Sequence, residues 1–232
     1  MVDALVFGAL ASSALVIGAA LGSFWTPPDR VLASALAFAS GALVTAVAVE
    51  LFADAYEQAG PGPATVAFLA GAAVFVLVDR ALERRVKPGE DNASGGALLA
   101  AVTLDGVPEN LALGVALITT SPWTLLAAVF ASNLPEAMSG AAMMRAQHHS
   151  RRSTMAVWSA TALLLLVAVV AGRVLLAGAS GTVIGVLLAF AAGAVLASLA
   201  DTLMPSSYAE GGPSVALATA AGFVLSFFLS EL

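Results

Sequence analysis

Two Pro-Glu pairs stand inside long apolar stretches of this chain, and the residues around them are the ones that could do chemistry. One stretch reads Thr103-Leu104-Asp105-Gly106-Val107-Pro108-Glu109-Asn110, and the next reads Ala131-Ser132-Asn133-Leu134-Pro135-Glu136-Ala137. At about 1.5 Å rise per residue, Glu109 and Glu136 each fall roughly 20 Å from the start of their helix, near the middle of a bilayer. A carboxylate at that depth costs on the order of 3 kcal/mol on insertion scales, so it must be paired, protonated, hydrated or bound to a cation. No basic residue lies in the middle of an apolar stretch to pair with it. Protons, water and metal ions remain.

Spacing narrows the choice. Asp105 and Glu109 are four apart and share one helix face, as do Ser132 and Glu136, with Asn133 three residues before Glu136. Pro108 and Pro135 each remove a backbone hydrogen bond and free a carbonyl about one turn earlier, near Leu104 and Ala131. Two antiparallel helices would then offer carboxylates, an amide and a hydroxyl at matched depth, an oxygen-rich site for a divalent cation.

The elements that must position these groups are membrane spans. The chain has 232 residues, 60% hydrophobic and 10% charged, and its mean hydropathy is +0.96. Soluble domains carry roughly 25% charged residues. Eight apolar segments follow one another, at approximately 4–24, 31–54, 63–82, 95–119, 122–145, 154–176, 181–204 and 213–231. They predict an all-α integral membrane protein with a single transmembrane domain over 1–232. The first segment follows Asp3 and has no basic stretch before it, so it reads as a span and not as a secretion signal. Turn chemistry separates the segments at Pro27-Pro28, Gly60-Pro61-Gly62-Pro63, Ser121-Pro122 and Gly211-Gly212-Pro213, and the longest loop runs from Glu83 to Gly96.

Basic residues orient the spans. Arg30, then Arg80, Arg84, Arg85 and Lys87, then Arg145, Arg151 and Arg152 flank alternate loops, and Arg173 alone falls on the other side. The positive-inside rule puts the first group in the cytoplasm and both termini outside, in a multi-pass cell membrane protein with the compact loops of a bacterial inner membrane. Leu36-Ala37-Phe38-Ala39-Ser40-Gly41-Ala42 returns as Leu188-Ala189-Phe190-Ala191-Ala192-Gly193-Ala194, and Tyr56 matches Tyr208 before a Gly-Pro turn in each copy. Because the second and seventh spans would run in opposite directions, this predicts an inverted repeat, spans 1–3 against 6–8, around central spans 4 and 5. Small residues four apart, Gly18/Gly22 and Ala189/Gly193, predict close helix contacts.

In span number, orientation, repeat and the two Pro-Glu pairs, the chain resembles the ZIP family of divalent metal transporters. That family carries His-Asn-x-Pro-Glu-Gly on its fourth helix and a related Pro-Glu-Gly on its fifth. The resemblance implies that Glu109 and Glu136 bridge the metal, with Asp105, Ser132 and Asn133 at the family's other ligand positions. The departures are a histidine replaced by Asp105, an asparagine by Gly106 and the motif glycines by Asn110 and Ala137. The sixth span has no acidic residue, which favours one metal position over two, and no span contains a histidine, which shifts the expected cargo from Zn²⁺ toward Mn²⁺ or Fe²⁺. The family also suggests a homodimer.

Glu50 and Asp54, four apart near the outer end of the second span, are either an entrance that gathers cations or ordinary acids at a wet helix end. Asp201 near the inner end of the seventh span is either the corresponding acid for an exit or an ordinary interfacial acid with no function. His148-His149 lie in a short basic loop that would fix orientation, although histidine pairs also bind metals. A net charge of -6 does not suit nucleic acid, no Gly-x-x-x-x-Gly-Lys loop is present for ATP, and the absence of cysteine removes thiolate chemistry. The expected partners are a metal cation as substrate, Zn, Fe or Mn, and the lipid bilayer, with no organic cofactor. Two other readings stand beside transport: a non-transporting metal sensor or scaffold, and an intramembrane hydrolase, which lacks a His-Glu-x-x-His helix. The chain is therefore expected not to be an enzyme.

Overall fold

A computed structural model describes residues 1–83, 95–119 and 122–231, and these are helical almost throughout. Helix α1 spans Val2–Phe24. Helix α2 begins as Asp29–Ala46, widens into a π-helical turn at Val47–Phe52 and continues as Ala53–Ala59. Helix α3 is Pro61–Glu83, α4 is Gly95–Ala116, α5 is Trp123–Ala146 and α6 is Arg151–Leu175. Helix α7 runs from Gly181–Ser198 through a second π-helical turn, Leu199–Leu203, into Met204–Gly211. A 3₁₀ turn, Gly212–Ser214, leads into α8, Val215–Ser230.

Among the described residues, five helical stretches are long and apolar enough to cross a membrane: Val2–Phe24, Asp29–Ala59, Pro61–Leu82, Arg151–Leu175 and Gly181–Ser230. This is the architecture of a multi-pass helical membrane protein. The last stretch holds two of the expected spans and is broken at Gly212. Helices α4 and α5, which carry the polar residues, are not among the five. The expected loop from 83 to 96 lies largely outside the described residues, and so do Arg84, Arg85 and Lys87.

The second span runs past its expected end at 54 because its π-helical turn does not stop it. Gly60 does, with φ +80° and ψ 167°, a backbone region open essentially to glycine alone. Gly212 ends α7 in the same way, with φ +67° and ψ −163°. In both cases the glycine N–H donates to a tyrosine carbonyl four residues back, that of Tyr56 or Tyr208.

Close approach holds the helices together, since lipid supplies no hydrophobic force between them and packing has to do it. Helix α1 packs on α5 and α6, α2 on α8 and α5, α3 on α7, and α4 on α6. At several crossings a glycine lies against a carbonyl of its partner, where even a methyl group would collide: Gly22 on Met138, Gly172 on Leu111, Gly71 on Phe190 and Gly193 on Phe68. Gly41 on Thr219 and Gly222 on Phe38 do the same for α2 and α8. That pair is also bridged by hydrogen bonds, Thr45 Oγ1 to the Phe223 carbonyl at 3.1 Å and Ser226 Oγ to the Ala42 carbonyl at 3.0 Å. Bonds of this type average about 0.6 kcal/mol in bilayers, so steric fit dominates.

Candidate functional site

Helix α4 carries Pro108 inside it and α5 carries Pro135, and both helices continue past the proline. Glu109 is buried at 3% exposure and Asn110 is completely buried. On α5, Ser132 and Asn133 are buried and Glu136 is half-buried. Four of the five expected ligands therefore sit inside the helical bundle or at its partly covered interior. The side chain of the fifth, Asp105, lies outside those described. Among the described residues no three histidine, aspartate and glutamate side chains gather closely enough to hold a metal ion.

The polar groups beside the glutamates are only partly occupied. Ser132 Oγ donates to the Val129 carbonyl at 3.0 Å, which leaves its lone pairs free to accept or to ligate. The Asn133 Nδ2 atom is buried with no hydrogen-bond partner. Asn110 Nδ2 donates to the Gly106 carbonyl at 2.8 Å, while its Oδ1 atom is buried and unpartnered. An orphaned buried polar atom costs about 1–3 kcal/mol, so the Asn110 oxygen favours a cation or a water proton beside it, whereas the Asn133 N–H group calls for an acceptor such as water. In the sequence Asn110 stands out only as a replacement for a motif glycine. Its neutral side chain in an apolar helix carried no signal of its own beyond its position next to Glu109.

Glu50 takes a part that spacing did not suggest. It sits in the first π-helical turn, half-buried, and its carboxylate accepts from the N–H of Thr124 at 3.1 Å and of Leu125 at 2.7 Å. Those amides open α5, where Pro122 holds the N-cap position and offers no side-chain oxygen. A distant acid from α2 thus caps the helix that carries Glu136, with its negative charge at the positive end of the helix dipole. The proline at the N-cap was the available hint, because a helix starting there needs a donor-satisfying oxygen from elsewhere. Asp54, one turn along, is partly exposed and has a buried, unpartnered Oδ2. Asp201 sits in the second π-helical turn and is exposed.

The histidine pair belongs to the turn after α5. His148 adopts a left-handed φ of 66°, and the His149 carbonyl accepts from Arg145 Nη1. Arg151, beyond the turn, stacks its guanidinium on the Phe24 ring at 4.5 Å.

Fold and site together define a class: a helical multi-pass membrane protein with acidic side chains inside two proline-containing helices. No family model matches the chain, and no curated protein matches its sequence.

Proposed function

We propose that this chain transports a divalent transition-metal cation, of the Zn, Fe or Mn class, through a carboxylate site between α4 and α5. The observation that carries the reading is the burial of Glu109 beside Asn110, with Ser132 and Asn133 buried on the neighbouring Pro-Glu helix. Carboxylate, amide and hydroxyl oxygens inside a membrane bundle suit a hard or borderline dication. The resemblance to ZIP transporters in the two Pro-Glu pairs supports the same assignment, with entry from outside toward the cytoplasm and Asp105 completing the site.

The eight-span inverted repeat belongs to this proposal, and paired local features support it. The two π-helical turns, Val47–Phe52 and Leu199–Leu203, begin 152 residues apart, as do the left-handed glycines Gly60 and Gly212. Each π-helical turn holds one acid, Glu50 or Asp201. The α2–α8 crossing and the α7–α3 crossing use the same glycine-on-carbonyl contacts, Gly41 and Phe38 in one and Gly193 and Phe190 in the other. π-Helical turns are rare and occur frequently at functional positions, so a matched pair of them suits two repeats that line one transport path.

Reconstitution in liposomes tests the reading, with entry of Mn²⁺, Fe²⁺, Zn²⁺ and Cd²⁺ followed for the wild type, Glu109→Ala and Glu136→Ala. Saturable flux lost in both variants is the expected result. If folded wild type moves none of the four ions, transport of these metals fails. Binding without flux would favour the sensor reading.

A further inference from the structure

We infer that Glu50 is a proton-released latch: ionised, it ties the start of α5 to α2, and protonated, it lets that end of α5 go. Both carboxylate oxygens are engaged, Oε1 by the Thr124 N–H at 3.1 Å and Oε2 by the Leu125 N–H at 2.7 Å, and the Thr124 side chain adds a hydrogen bond of its own. An anion spread across two amides at a helix start is held by charge-assisted bonds and by the dipole of that helix. A proton removes the charge and turns one acceptor oxygen into a hydroxyl, which then meets an N–H where an acceptor is needed. Pro122, at the N-cap, has no side-chain oxygen to take over. The π-helical turn that carries Glu50 is of a rare kind found often at functional positions.

The surrounding charges leave the amides of α5 as the counterpart of this carboxylate. Asp54, four residues along α2, acts on Glu50 as a like charge, and Glu57 acts on Asp54 in the same way. Helices α4, α5 and α7 also touch the π-helical turn. Over Gly181–Ser198 α7 has no titratable residue, α5 has none before Glu136, and α4 contributes Asp105 and Glu109. The arginines of α2 and α5, Arg30 and Arg145, stand at the opposite ends of those helices. Trp123, at the start of α5, stacks on Phe7 of α1 with ring centroids 4.6 Å apart, so α1 keeps hold of this end when α2 releases it. On the transport reading, which this inference deepens, the released helix is the one that carries Ser132, Asn133 and Glu136, and a proton thereby regulates their site. The latch itself needs no cargo.

The chain has no cysteine, so spin labels can be placed on Tyr56→Cys of α2 and Ala127→Cys of α5, both exposed positions. Their separation is read by pulsed dipolar electron paramagnetic resonance on the full chain in detergent, without metal, from about pH 7 to about pH 4, across the carboxyl range. The expected result is one distance at the upper pH and a second component, longer by about 2 Å or more, at the lower, with helical content by circular dichroism unchanged. In the same labelled background Glu50→Gln is expected to show the longer component at both pH values, and Asp54→Asn to keep the response of the unsubstituted chain. The proposal is overturned if the chain with Glu50 intact keeps one distance throughout, a result that depends on no change at the latch. It is also overturned if folded Glu50→Gln still responds to pH, if Asp54→Asn abolishes the response, or if helical content falls together with the change in distance. Because no metal is present, failure here leaves transport standing, and a chain that responds to pH yet moves no ion leaves the latch standing.

Discussion

Glu50 carries two backbone hydrogen bonds of another helix, and its charge faces the positive end of that helix. Replacing it by glutamine keeps an oxygen there but removes the charge, at a cost of about 1–2 kcal/mol from the dipole and charge-assisted terms. Glu50→Ala leaves the amides of Thr124 and Leu125 without that acceptor and is expected to cost more. Thermal unfolding in detergent, read by circular dichroism, should therefore rank wild type above Glu50→Gln above Glu50→Ala. Equal melting temperatures would mean that water replaces the carboxylate at no cost. Spacing alone left Glu50 between a cation-gathering role and a wet helix end, because the four-residue interval to Asp54 says nothing about what faces the side chain. The acids of α4 and α5 were legible as candidates, since an acid deep in an apolar run is informative wherever its partners lie.

At the scale of elements, the helices are sorted by which of them can come closest. Gly71 and Gly193 each meet a carbonyl on the other's helix, so α3 and α7 touch backbone to backbone twice within one crossing. A larger side chain there must push the helices apart. Gly193→Val is expected to destabilise by about 1–3 kcal/mol or more through overpacking. The same change at Gly62, where a Cβ meets nothing, is expected to fall within about 0.5 kcal/mol plus a small helix-propensity term. A thermal-stability comparison of the two variants checks this, and equal effects would show that crowding at the crossing is not what matters. The small-residue spacing of Gly18/Gly22 and Ala189/Gly193 marked these faces in the sequence. Which carbonyl each glycine would meet was not readable, because that depends on the partner helix as much as on its own.

For the whole molecule, the absence of cysteine makes topology directly measurable. Single cysteines at Glu57, in the last turns of α2, and at Gln147, after α5, sit on opposite sides in the orientation drawn from the basic loops. A membrane-impermeant maleimide applied to intact cells should label Glu57→Cys, and should label Gln147→Cys only after permeabilisation. The reverse pattern would invert the protein in the membrane and reverse the proposed direction of the metal path. Labelling of both from one side would remove the alternation on which the inverted repeat depends.

Composition and apolar run length were enough to determine a helical membrane protein, because the bilayer forces backbone hydrogen bonds to close within each segment. The break points at Gly60 and Gly212 follow from local turn chemistry, and so were also readable. The tertiary structure decided what depends on two elements at once. It brought Glu50 to the start of α5, buried Asn110 beside Glu109, set each glycine on its carbonyl and left an apolar cleft between α4, α6 and α7. Periodicity describes one helix face, whereas a contact or a gap is a property of the distance between two.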